Sequence, residues 1–247
     1  MNKIRLTLFV IAYSAAEKNM WFAQAFRLNT EYLELRPNNQ NAQDRQLTLL
    51  TDHSMDDELA AAINDYQERD GYDVIVVQAS INHLLIVNDP TAMRAFVKTA
   101  LERVGDSAFV MYQVHRTLLW AGDTDGASKL ERIILSSYLL EVSRFMVRLR
   151  LACAENRTSD ATHIYETILA QHPDISTAWI VRSIMGRQGK AFDSLIGLDN
   201  PVDLSQLSVF LNYAYFDARL FPNLLSLLES QGIEPHKPLA IPYRCKI

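Results

Sequence analysis

The hydrophobic residues of this chain follow the spacing of amphipathic helices. Leu59, Ile63 and Tyr66, for example, recur at intervals of three and four, which places them on one helical face. Gly, Asn, Asp and Pro separate such segments. The pattern predicts an all-α protein of about twelve helices without a sheet, over residues 6–18, 22–35, 56–68, 74–87, 91–103, 108–121, 126–136, 139–155, 160–171, 176–187, 205–216 and 222–230, with a single helical turn at 47–50.

One segment has a composition that also suits a strand. Residues 74–77 read Val-Ile-Val-Val, and β-branched side chains favour strands. Ile81, Leu84 and Leu85 nevertheless continue the helical period from Val77. We therefore predict a helix at 74–87.

A turn signature occurs twice with a fixed period. Gly122 is followed five residues later by Ala127, and Asn156 is followed five residues later by Ala161, so both members recur with a period of 34. Gly and Asn tolerate the left-handed conformation that ends a helix. A small residue just beyond the turn lets two helices approach closely.

The same arrangement recurs near the N-terminus. Ala161 is followed twelve residues later by Pro173, as Ala25 is by Pro37, and Ala25 precedes Ala127 by three periods of 34. This pattern resembles the tetratricopeptide repeat family. The resemblance implies a right-handed α-α superhelix of helical hairpins, which binds proteins on its concave face. A generic helical bundle is the alternative.

The organisation of domains follows from these patterns. No linker-like stretch divides the repeats, so we predict one solenoid over residues 1–233. Pro235, Pro238 and Pro242 predict an extended tail over 234–247.

Charge and composition exclude some classes of function. Hydrophobic residues make up 49% of the 247 residues, as in a globular protein, and the net charge is −5. That charge argues against nucleic-acid binding, which needs clustered cations. No apolar stretch approaches the length of a membrane span. Cys153 lies in an apolar run and is predicted to fill the core, while a bridge to Cys245 lacks a motive in the sequence.

The N-terminus allows two interpretations. Lys3 and Arg5 precede the apolar run 6–12, and small residues follow at 14–16, as in a short secretory signal. The repeat register instead makes this segment a helix, which we favour. A cytoplasmic location is therefore expected, with a periplasmic one as the alternative.

Motifs for catalysis are absent from the sequence. The chain has no G-x-G-x-x-G, Walker loop, H-E-x-x-H, paired C-x-x-C or G-x-S-x-G, and its six histidines are scattered. We expect a non-enzymatic protein without a cofactor or metal. An enzyme such as a hydrolase or transferase on a helical scaffold is the alternative.

One set of residues occupies equivalent repeat positions and is the candidate binding groove. Arg116 and Arg150 lie eleven residues before Ala127 and Ala161, and Asn82 lies one period earlier. Arginine binds carboxylates through two parallel hydrogen bonds. The partner would be an acidic or C-terminal carboxylate segment. Alternatively, both arginines only cover apolar surface. With the residues one turn earlier, the set is Gln78, Asn82, Tyr112, Arg116, Met146 and Arg150.

A second resemblance concerns the C-terminal end of the chain. The segment 221–233 and the motif Ile241-Pro242-Tyr243-Arg244-Cys245 are similar to the ending of CadC/HilA-type winged-helix regulators and of adenylate cyclases that carry tetratricopeptide repeats. This resemblance implies a regulatory or sensory module of a bacterial signalling or transcription-control protein. Neither DNA binding nor cyclase activity transfers to any residue of this chain.

Overall fold

The computed structural model describes residues 12, 16, 20–52, 56–70 and 74–245. These residues form thirteen α-helices and no strand, which confirms the all-α prediction. The strand-like segment at 74–87 is a helix, as predicted. Apart from residues 12 and 16, the proposed first helix and the alternative signal segment lie outside the described residues.

The helices match the predicted segments closely except in three places. The predicted turn at 47–50 belongs to a full helix. A helix at 188–195 was not predicted, because its surroundings contain three glycines. The predicted helix at 205–216 breaks into a short helix and a 3-10 turn. The bounds are α1 Phe22–Leu35, α2 Gln40–Asp52, α3 Asp56–Asp70, α4 Val74–Val87, α5 Pro90–Val104, α6 Ala108–Trp120, α7 Thr124–Leu135, α8 Glu141–Ala154, α9 Thr158–Gln171, α10 Ile175–Ile184, α11 Gln188–Leu195, α12 Leu204–Ser208 and α13 Pro222–Ser230, with 3-10 turns at Ile196–Leu198, Val209–Asn212 and Ala218–Leu220.

Two compact units divide the described chain, and each combines distant parts of the sequence. Unit 1 contains the described residues up to 70 together with 198–238. Unit 2 contains 74–197 together with the end of the chain from residue 239. The predicted tail, residues 234–247, is thus divided between the two units after residue 238. The sequence instead predicted a boundary between the solenoid and the tail after residue 233. A single solenoid over 1–233 stays a prediction.

Unit 2 is an array of helical hairpins with the predicted period. The first helices of the hairpins, α4, α6, α8 and α10, begin at positions 74, 108, 141 and 175, so successive starts differ by 34, 33 and 34. Each packs against the second helix of its own hairpin, and α4 also packs on α6, α6 on α8, and α8 on α10. The first helices therefore stand side by side in one layer.

The turns between paired helices share one backbone conformation. Asn88, Gly122 and Asn156, which follow one another at the repeat period, have φ values of 56°, 77° and 58°. Gly122 and Asn156 were predicted to take this conformation, and Asn88 takes it as well. After the first two turns an aspartate caps the next helix: Asp89 accepts from the N–H groups of residues 91 and 92, and Asp123 from that of residue 126.

Unit 1 is held by buried polar side chains as well as apolar contacts. The Asn29 side chain, buried in α1, donates at 2.8 Å both to the carbonyl of Ala42 and to the side chain of Gln46. Asp199 accepts from the N–H groups of Asn223 and Leu224 at the start of α13. These bonds join segments that are distant along the chain.

Substitution of the small residues that recur in the repeat tests the packing of unit 2. Ala127 and Ala161 are both 0% exposed. We expect Ala127→Trp or Ala161→Trp to lower the free energy of unfolding by about 1–3 kcal/mol or more, because the interior has no room for the added volume. Urea unfolding measures the change. The matched control is Ala95→Trp, at an exposed position of α5 in the same unit. Equal midpoints for all variants would contradict this packing.

Candidate functional site

The candidate residues lie on the side-by-side layer of first helices in unit 2. We call the surface formed by Gln78, Asn82, Tyr112, Arg116, Met146 and Arg150 the A-helix face. Nη2 of Arg116 donates to Oδ1 of Asn82 at 3.2 Å, and Nη2 of Arg150 donates to the Tyr112 hydroxyl at 2.8 Å. Both bonds join neighbouring first helices. The structure thus brings four of the six predicted residues into pairs.

Arg150 is held rigidly inside the protein. It is 4% exposed, and its Cζ atom lies 4.8 Å from the centroid of the Tyr112 ring. A guanidinium above an aromatic ring is attracted by the negative charge of the ring face. The stacking and the hydrogen bond together fix the direction of the guanidinium. The alternative, in which the arginine merely extends over apolar surface into water, does not describe this side chain.

The other members of the A-helix face differ in their access to solvent. Gln78 is exposed, Asn82, Tyr112 and Arg116 are half-buried, and Met146 is buried. Met146 therefore belongs to the core beneath the face. The accessible chemistry comes from the polar and aromatic members.

The C-terminal tail lies against this face, which the sequence did not predict. Tyr243 is 4% exposed, and its ring meets that of Trp120 edge to face, with centroids 6.0 Å apart. Burial raises the pKa of the Tyr243 phenol, while the charges of Arg150 and Arg116 oppose that rise. Trp120 lies one helical turn beyond Arg116 on α6, so the ring contact places Tyr243 near the arginine pair.

Two further contacts fasten the end of the tail. The N–H of Cys245 donates to the carbonyl of Ile184 at 2.8 Å, and Cys245 forms a disulfide with Cys153 of α8. Cys153 is buried, as predicted, and the bridge to Cys245, which the sequence left open, forms. Gly186 has a φ of +71°, and a Cβ there would lie 3.1 Å from the carbonyl oxygen of Cys245. A side chain at this position would strain the turn and press on the tail.

The tail binds with alternate side chains inward. Ile241, Tyr243 and Cys245 are buried, whereas Pro242 and Arg244 are exposed. The predicted extended chain is wrong at 241–244, where the N–H of Arg244 donates to the carbonyl of Ile241 at 3.3 Å and closes a turn. This turn still directs three of the five side chains into the protein. This alternation was visible in the sequence and is the signal that could have revealed the contact.

A buried histidine lies beside the face. His115 on α6 is 0% exposed, and neither of its ring nitrogens has a hydrogen-bond partner among the described residues. Burial, aided by the charge of Arg150, lowers the pKa of His115 from 6.5 to about 3. The imidazole is therefore neutral near pH 7.

Two other kinds of feature are absent from the described residues. They contain no group of three or more His, Cys, Asp or Glu side chains placed to hold a metal ion. No helix among them is both long and apolar enough to cross a membrane. No family model, curated protein or solved structure matches the chain.

His115 makes stability depend on pH. Its folded pKa lies below the unfolded value, so the unfolded state binds more protons between pH 3 and pH 6.5. The free energy of unfolding should therefore decrease as pH falls through this window, by up to about 1.4 kcal/mol per pH unit from this residue. Urea unfolding at several pH values measures the slope.

His115→Leu removes the titrating group at little cost in volume. We expect this variant to show a shallower loss of stability below pH 6.5 than the wild type. His163→Leu, at an exposed position of α9, is the control and should keep the wild-type slope. A wild-type slope in His115→Leu would contradict the assignment.

Proposed function

We propose that the protein is a non-enzymatic interaction module of the tetratricopeptide repeat type, which binds an extended peptide on the A-helix face. The observation that carries the proposal is the packing of a non-helical segment, residues 241–245, on the ends of the first helices next to this face. The regular spacing of the first helices supports the family assignment. Repeat proteins of this kind present the first helices to their partners.

The chemistry of the face favours an acidic partner. Arg116 and Arg150 point their guanidinium groups at neighbours on adjacent helices, and Arg150 does so in a buried setting where electrostatic interactions are strong. A carboxylate that entered the site would gain charge-assisted hydrogen bonds. Tyr112 and Gln78 would add an aromatic surface and an adaptable amide.

The biological setting we propose is regulation. The likeness of the C-terminus to bacterial signalling and transcription-control proteins supports a sensory or regulatory role. The disulfide favours the periplasmic alternative over the cytoplasmic one, because disulfides persist in oxidising compartments.

Pull-downs from the source organism test this proposal with single variants. Arg116→Ala removes a charge-assisted contact, and Arg150→Lys removes the two parallel donors of the guanidinium. Each should weaken capture of partners by about 1.5–3 kcal/mol. We choose lysine at position 150 because alanine would remove the donor to the Tyr112 hydroxyl and would open a cavity in the interior. Far-UV circular dichroism verifies the fold of each variant.

The matched control is Arg148→Ala, an exposed arginine two residues from Arg150 on α8. It should capture the same partners as the wild type. The captures are run with oxidised and with reduced protein. Equal recovery by all variants in both states would show that partners do not use the A-helix face.

A further inference from the structure

We propose that the segment Ile241–Cys245 is a built-in occupant of the A-helix face. The Cys153–Cys245 disulfide holds the segment in place, and reduction of this bond frees the face for a partner. This regulation rests on the proposed function. It treats the tail as an intramolecular competitor of the peptide that the face would bind.

The tail lies across the C-terminal ends of three first helices. Tyr243 packs on Trp120, one helical turn beyond Arg116 on α6. Cys245 is bonded to Cys153, three residues beyond Arg150 on α8, and to Ile184 at the end of α10. The segment therefore crosses three consecutive first helices. A partner peptide that used the arginine pair would need the space that Tyr243 occupies.

Few backbone bonds hold the tail. The segment 241–245 has no helix or strand, and a single bond, from the N–H of Arg244 to the carbonyl of Ile241, closes a turn within it. Its described backbone bond to the rest of unit 2 runs from Cys245 to Ile184. Burial of three side chains is opposed by the entropy lost in ordering the whole segment. The disulfide closes a loop across 92 residues and keeps the tail at a high local concentration beside its site. The covalent bond thus decides whether the tail stays bound.

The chemical step is ordinary thiol–disulfide exchange with a dithiol reductant. One thiolate of the reductant attacks one sulfur of the bridge, the S–S bond breaks, and a mixed disulfide forms. The second thiol of the reductant resolves it. Two electrons and two protons pass to Cys153 and Cys245, which become thiols, and the reductant leaves as a disulfide.

Amide hydrogen exchange on the full chain tests the release directly. The oxidised protein is compared with protein reduced by dithiothreitol. We expect deuterium uptake to rise several-fold over residues 239–245 and to rise modestly at the A-helix face. Uptake in α5, α7 and α9 should not change. Unchanged uptake in the tail, or a rise throughout unit 2, would overturn the proposal, because the tail would then be a permanent part of the core.

A second measurement tests occupancy of the face. The probe is a fluorescein-labelled peptide with the sequence of residues 238–245 and serine at the Cys245 position, followed by anisotropy. We expect at least tenfold tighter binding to reduced than to oxidised protein, and Cys245→Ser should match the reduced protein without any reductant. Equal binding in both redox states would overturn the proposal.

The tail's anchor offers a matched pair of variants for the same assay. Tyr243→Ala weakens the competing tail and should increase binding of the probe to reduced protein. Tyr138→Ala changes a fully exposed tyrosine of unit 2 and should leave probe binding as in the wild type. An equal effect of both variants, or no effect of either, would overturn the role of Tyr243.

These results separate the regulation from the function on which it rests. Release of the tail on reduction, without partner capture by either redox form, would support the redox control of the tail and contradict the proposed interaction module. Equal partner capture by oxidised and reduced protein at the A-helix face would contradict the redox control of the tail and support the proposed interaction module.

Discussion

The left-handed turn that ends each first helix is the constraint on which unit 2 depends. Asn88, Gly122 and Asn156 take this conformation, each one repeat period after the last. Only Gly, and at lower frequency Asn, adopts it at small energetic cost. The turn reverses the chain within two or three residues, so each second helix packs on its first helix and each first helix returns beside the previous one. The pairing of Arg150 with Tyr112, 38 residues apart, follows from this repeat of geometry.

The layer of first helices concentrates positive charge in a place with little water. Arg150 is buried against Tyr112, and its charge acts on two other titratable groups: it helps to lower the pKa of His115 and opposes the rise in the pKa of Tyr243. A buried cation that keeps its charge needs polar or aromatic neighbours. The A-helix face therefore combines a fixed cation with aromatic rings, a combination suited to an anionic or aromatic side chain of a peptide.

The tail connects this chemistry to regulation. Alternate residues of the segment 241–245 enter the protein, and Tyr243 packs on Trp120, one helical turn beyond Arg116. The same segment carries Cys245, so one short stretch contains both the occupant of the face and the bond that retains it. In the proposed regulation, the redox state of the Cys153–Cys245 bond decides whether this segment covers the face.

Local signals determined what the sequence alone could establish. Helical periodicity, the left-handed turns at Gly122 and Asn156 and the repeat period each depend on a few neighbouring residues, and the described helices agree with them. The equivalence of Arg116 and Arg150 followed from the same period. The helices at 40–52 and 188–195 escaped because polar residues or glycines weaken their local pattern. Only the tertiary structure decided the burial of Arg150, the seating of Tyr243 and the pairing of Cys153 with Cys245. These contacts join residues that are distant along the chain, and they form because the stacked helices bring distant segments together.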